Sequence, residues 1–317
     1  MRRAAALIIP VIAAAGVLSG CGSSSPAPAA SPNASVKVTG SFGKAPAVQI
    51  PTKKASSELR FTTTISGNGP AVPPGDSVLG NFALYGWTGT THKLLDSTFA
   101  SAPQLLPAQI PLPGLQTALK GAKLGSRVVA VLPPKFGYGT KGNAQIGVSA
   151  TETLVWVVDL LKAFSPTEAA AGAHVSDGGG SLPTVPAAAT MPTISIPKSQ
   201  PPAKLVVKTL IKGSGQPLAN GQAVVAQVVG TVWRTHKVFF STWPSATSPG
   251  AIFSFQLGGQ VISGWNKGLP GVPVGSRVML IVPPADAYGK AGQPTAGIKG
   301  TDTLVFVVDI LDASSPA

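Results

Sequence analysis

Residues 111–139, PLPGLQTALKGAKLGSRVVAVLPPKFGYG, align without a gap on residues 261–289, VISGWNKGLPGVPVGSRVMLIVPPADAYG, at an offset of 150. Eleven of the 29 positions are identical, where unrelated stretches would share about two. The same offset pairs Thr153-Leu154-Val155-Trp156 with Thr303-Leu304-Val305-Phe306. Upstream it falls to 144, because Thr91-His92-Lys93 matches Thr235-His236-Lys237, so the first copy lacks six residues between those points. An internal repeat of this kind constrains the chain severely: a fold acceptable to one copy must be acceptable to the other. A length of 317 residues leaves room for two domains of ordinary size, each with its own core.

Within each copy the apolar residues fall in short β-branched runs. The run at 276–282 stops at Pro283-Pro284, residues that cannot donate to a ladder, and so reads as a buried strand. By the same reasoning strands are expected at 77–85, 127–132 and 154–161 in the first copy, and at 205–211, 223–232, 277–282 and 304–311 in the second. Only one short helix per copy is expected, near 114–120 and 264–268. Trp265 and Tyr288 stand at Gly-flanked irregular positions, where an aromatic side chain can face a cleft instead of filling a core.

The order of these motifs resembles the FKBP family of peptidyl-prolyl isomerases. Val261-Ile262-Ser263-Gly264-Trp265 matches a V-I-x-G-W helix entry, Val274-Gly275-Ser276-Arg277 a V-G-x-(K/R) turn, and 283–289 a Pro-x-x-x-A-Y-G loop. Phe253-Ser254-Phe255-Gln256-Leu257-Gly258 matches an F-x-F-x-L-G strand, and 303–311 the closing strand. The resemblance implies an α+β fold: two FKBP-like domains, each a twisted antiparallel sheet wrapped around one short helix with the pocket between them.

Prolyl isomerisation needs no nucleophile, metal or cofactor. Its barrier of about 18–20 kcal/mol comes from amide resonance and falls when a water-poor cleft binds the twisted amide best. Consistent with this, the three histidines, His92, His174 and His236, have no triad or metal spacing around them, and no metal or cofactor is expected. In the second copy the resemblance makes Trp265 the floor under the proline ring, Phe253, Phe255, Val261, Ile262 and Phe306 the walls, and Tyr288 a donor to a ligand carbonyl. The family's Tyr and Asp would fall there on Val229 and Phe240, so the polar rim is lost. The first copy is the converse. Tyr85 and Asp96 stand eleven apart, as in the family, and Leu112, Tyr138 and Trp156 take further pocket positions, but the floor is Leu115. The missing six residues are expected to truncate a wall.

Arg2-Arg3 followed by an apolar run to Val17 reads as a secretory leader too short to span a bilayer stably. It ends in Leu18-Ser19-Gly20-Cys21, which resembles a bacterial lipobox, and Cys21 is the only cysteine, so a structural disulfide is excluded. The expected organisation is a lipoprotein signal peptide at 1–20, a disordered Ser/Pro/Ala tether at 21–57, the first domain at 58–165, a linker at 166–203 with no apolar face to dock the copies, and the second domain at 204–314. Basic residues outnumber acidic ones by 24 to 11. They are scattered without interleaved aromatics, so no nucleic-acid partner is expected, and an anionic envelope suits the charge. The expectation is therefore a monomeric isomerase, lipid-anchored through Cys21 outside the bacterial cytoplasmic membrane and acting on proline-containing polypeptides. The alternative is a non-catalytic peptide-binding or chaperone lipoprotein with degenerate domains.

Overall fold

The computed structural model describes residues 36–187, 191–259 and 261–316; the expected leader, Cys21 and the start of the tether lie outside the described residues. In chain order the elements are β1 (Lys37–Thr39), β2 (Ala47–Gln49), β3 (Arg60–Ile65), β4 (Ser77–Thr88), β5 (Thr91–Ser97), β6 (Gln104–Leu106), α1 (Pro113–Leu119), β7 (Arg127–Leu132) and β8 (Thr153–Phe164). There follow β9 (Ala173–His174), β10 (Val206–Lys212), β11 (Ala223–Val232), β12 (Val238–Ser241), β13 (Phe253–Gln256), α2 (Ser263–Gly268), β14 (Arg277–Val282) and β15 (Leu304–Ser314). The first copy is an antiparallel sheet in the order β3-β7-β8-β4-β5, with β6 on β4. The second repeats it as β10-β14-β15-β11-β12, with β13 on β11 and β9 added outside β10.

Alternation along the strands divides each core in two. On the front face of the first sheet Phe82, Leu84, Val128, Ala130, Trp156 and Val158 meet Leu115 and Leu119 of α1; in the second, Val228, Leu280, Val308 and Phe306 meet Trp265 and Leu269 of α2. The helices approach very closely. A Cβ on Gly264 would lie 2.6 Å from Val282 Cγ1, and one on Gly114 2.8 Å from Leu132 Cγ, so only glycine fits at either helix start.

The back faces explain why β7, β8, β14 and β15 read as continuous apolar runs: they are covered as well. Here the structure corrects two sequence expectations. The tether is not disordered throughout: from residue 36 it forms the β1–β2 hairpin, whose flanking Val36 and Ile50 are buried against Ala83, Trp87, Val129, Val155 and Val157. Nor is 166–203 a free linker. Among its described residues, β9 pairs with β10, and Val185, Leu182, Ile194 and Ile196 cover Leu210, Met279, Ile281 and Val305 of the second sheet.

A buried ion pair lies under each cover at the repeat offset. Arg127 and Asp159 are cross-strand partners, 1% and 0% exposed, bonded through Nε–Oδ1 at 2.6 Å and Nη2–Oδ2 at 2.8 Å. Nη1 donates to the Gly40 carbonyl at 3.1 Å, Nη2 also reaches the carbonyls of Ser41 and Lys44 at 3.0 and 2.8 Å, and Gly43 N–H donates to Asp159 Oδ2 at 2.7 Å. Arg277 and Asp309 repeat the fork at 2.6 and 2.7 Å, and Ala170 N–H donates to Asp309 Oδ2 at 2.9 Å. Such a pair tolerates burial where further hydrogen bonds, like those Arg127 donates to the hairpin carbonyls, supplement the fork.

The copies also touch, against the expectation that nothing docks them. Leu79 and Phe164 of the first are buried with Val225 and Ile252 of the second. Lys162 is ion-paired with Asp312, and Gln227 Nε2 donates to the Pro166 carbonyl at 2.6 Å.

Candidate active site

The front of the second copy holds an aromatic cluster. Trp265, 4% exposed, is met edge-on by Phe306 at 5.3 Å between centroids, by Phe255 at 5.0 Å and by Phe253 at 6.3 Å. Phe253 stacks on Phe255 at 5.7 Å and takes the edge of Phe240, also at 5.7 Å. Val261 and Ile262, half-buried, lead into α2 beside them. The rings fit because the strand beneath them carries Gly230: a Cβ there would lie 2.8 Å from Phe239 and 3.1 Å from Phe306. T-shaped contacts of this kind each contribute about 0.5–1.5 kcal/mol beyond area burial, so the walls stand formed without a ligand.

Tyr288 follows the short 3-10 turn Pro284–Asp286 and is 38% exposed. Partial burial pushes its phenol above the ordinary tyrosine value, so it stays a protonated donor at neutral pH. Asp286 ties this loop to α2: it accepts from Ser263 Oγ at 2.9 Å and Lys267 Nζ at 2.5 Å. Lys267 first, and Ser263 second, hold its carboxyl below the usual range. Asn266 anchors the other side, accepting from Gly258 N–H at 2.8 Å and donating to the Gly259 carbonyl at 3.3 Å. Sequence reasoning missed Asp286, Ser263, Lys267, Asn266 and Phe239. The available signal was a Ser just before Gly264-Trp265 and a Lys just after, facing an Asp before Ala287-Tyr288. This arrangement can desolvate an apolar ring and offer one donor to a carbonyl. Among the described residues no group of three His, Cys, Asp or Glu could hold a metal ion.

The first copy differs in its filling. Leu112 and Leu115 are fully buried, and Trp156 lies against Phe82 with centroids 5.0 Å apart. Strand pairing places Leu84 opposite Trp156, where Gly230 stands opposite Phe306 in the second copy. The space that glycine leaves for rings is thus taken by leucine. Asp96 is the cross-strand neighbour of Leu84, and its carboxylate accepts from Ser97 N–H at 2.8 Å. Tyr138 is half-buried and its phenol pushed up by burial, a hydrogen bond with Asn143 acting the other way.

Two sequence expectations about the first copy fail. Tyr85 does not join Asp96 at the pocket: it pairs with Val155 and belongs to the back-face cluster with Trp87 and Val36. A bulge between Leu84 and Tyr85 shifts the pairing with β5, so spacing alone misjudged the face. Val229 of the second copy likewise pairs with Val307, a back-face residue. Nor is the wall strand truncated. β6 retains it, Gln104 and Leu106 pairing with β4 where Phe253 and Phe255 pair with β11. The shortfall falls in the β5–β6 connection, and what the wall loses is its aromatic rings.

The family model described as "FKBP-type peptidyl-prolyl cis-trans isomerase" matches residues 72–161 and 215–311. The FK506-binding protein of Streptomyces anulatus is 39% identical over 121 residues, which are 38% of this chain and 94% of that protein. The FKBP-type peptidyl-prolyl cis-trans isomerase FkpA of Escherichia coli K12 is 36% identical over 108 residues, 34% of this chain and 37% of that one. The crystal structure of FkpA shares 35% identity over 36% of this chain and 49% of its own, with a TM-score of 0.31.

Proposed function

From the premise that this chain belongs to the FKBP-type peptidyl-prolyl cis-trans isomerase family, we propose that its isomerase activity resides in the second copy. The observation that carries this reading is the pre-formed aromatic cluster around Trp265, which Gly230 permits and Leu84 denies to the first copy. A substrate proline ring seats over Trp265 between Phe253, Phe255, Val261, Ile262 and Phe306. Excluding water there favours the twisted amide, whose lost resonance leaves a less polar C–N bond, over either planar isomer. Tyr288 donates to a substrate carbonyl, and the Asp286 contacts to α2 fix the distance between that donor and the floor. No covalent step occurs, so binding energy that grows on twisting is the whole of the catalysis.

The first copy serves as a non-catalytic partner. Its filled front face favours that role over a second active site. Cys21 carries the lipid anchor, which holds the chain on the outer face of a bacterial cytoplasmic membrane, where it assists the folding of exported proline-containing polypeptides as a monomer.

The test is a protease-coupled isomerisation assay on a proline tetrapeptide with the full chain. Trp265→Leu, which gives the second copy the Leu115 floor, should lower kcat/KM at least about tenfold, equivalent to roughly 1.4 kcal/mol of transition-state binding, with the fold retained by circular dichroism. Asp96→Val should leave the rate unchanged. If Asp96→Val abolished activity and Trp265→Leu did nothing, the active copy would be the first.

A further inference from the structure

On the opposite side of the second sheet from Trp265, a cavity of about 450 Å³ opens between three segments: 197–201 of the connector, the turn at 233–236, and 301–303 before β15. Its separateness is structural. Trp233 belongs to the back-face cluster with Val185, Met279 and Val305, whereas Trp265 is packed on Phe306. The walls are fixed to one another. Trp233 Nε1–H donates to the Ser199 carbonyl at 3.2 Å, and Trp233 N–H donates to the Thr303 carbonyl at 3.0 Å.

The charge in the cavity is unbalanced. Its one carboxylate, Asp302, accepts from both arms of Arg234, at 2.7 and 3.0 Å, and from Lys299 N–H at 2.8 Å, so it has little left to offer. Lys198 and His236 also line the cavity, and the side chain of neither makes a hydrogen bond or ion pair among the described residues. Of the rest of the polar lining, Gln200, Thr301 and Thr303 carry side-chain donors, while Ser199 Oγ–H already donates to the Ser181 carbonyl at 3.0 Å. A concave site whose acid is neutralised by Arg234, and whose Lys198 ammonium and His236 ring have no partner among the described residues, is complementary to a ligand with several acceptor oxygens.

We propose that this cavity is an oxyanion site, taking a phosphate or carboxylate group between Lys198 and His236. Because half of its wall is connector, an occupied site pins residues 197–201 onto the second sheet. The proposal is independent of where the isomerase activity resides.

The measurement follows the indole N–H resonance of Trp233, identified by its loss in Trp233→Phe, in the full chain. Two probes are titrated at constant ionic strength set with sodium chloride: inorganic phosphate, and a short glutamate-rich peptide. Saturable movement at millimolar concentration or below is expected with at least one probe, and which of them saturates identifies the source of the oxyanion. Removing one charge-assisted hydrogen bond to the anion should weaken binding about tenfold or more, so Lys198→Gln with His236→Gln should abolish saturation while isomerase activity stays at its original level. Saturation by neither probe, or saturation that persists in the double variant, overturns the assignment.

Discussion

Replacing Arg127 by methionine removes the cation from a pair that is essentially unexposed and leaves Asp159 with Gly43 N–H as its one remaining partner in the hairpin. An uncompensated buried carboxylate costs about 3–5 kcal/mol, a large part of the roughly 5–15 kcal/mol by which a domain is stable. Urea unfolding of the full chain, followed by tryptophan fluorescence, should show an early transition for the first copy and an unshifted one for the second. The informative comparison adds Asp159→Leu. With both charges gone the desolvation penalty goes too, and the double variant should return to within about 1–2 kcal/mol of the parent. The hairpin should not return with it, because the carbonyls of Gly40, Ser41 and Lys44 no longer have the guanidinium that held them. Hydrogen exchange at Val38, which pairs with Val48, should be fast in both variants. If Arg127→Met cost less than about 1 kcal/mol, or if the double variant kept slow exchange at Val38, the pair would not be what holds the hairpin on the sheet.

Burial raises the Glu168 carboxyl, and Asp76 and Asp312 push it the same way. A raised carboxyl loses stability as pH rises from its unfolded value through its folded one, so Glu168→Gln should stabilise the protein at neutral pH, by less than about 1 kcal/mol given its partial exposure, with the gain vanishing in acid melts. Asp302 and Asp286 are shifted down, by Arg234 and Lys267 respectively. Their contributions are complete above about pH 4 and are lost as pH falls through the depressed values, so the acid slope of the second copy's melting temperature should flatten in Asp302→Asn. Two acyl chains at about 0.8 kcal/mol per methylene anchor stably, so Cys21→Ala should appear in the culture medium on fractionation; quantitative retention in the membrane would remove Cys21 as the anchor.

The amino-acid sequence by itself set β7, β11 and β14 to the residue, since β-branched runs closed by Pro-Pro or Gly punctuation leave few alternatives to a strand. It also set the repeat, and with it which residues of one copy answer to which of the other; that Trp265, Phe253, Phe255 and Phe306 share one pocket was implied only by the resemblance to the FKBP family, since the residues alone suit a core as well. Only the tertiary structure decided the faces and the covers. Whether Tyr85 meets Asp96 or Trp87 turns on one bulged residue, and a period of two reverses every side chain after such an insertion. The hairpin at 37–49 and the connector at 166–203 read as coil because they carry only a few apolar residues and no periodicity. Their order comes from partners far along the chain: the apolar back faces of the two sheets, the Arg127–Asp159 pair that holds the hairpin, and Asp309, which accepts from Ala170 of the connector.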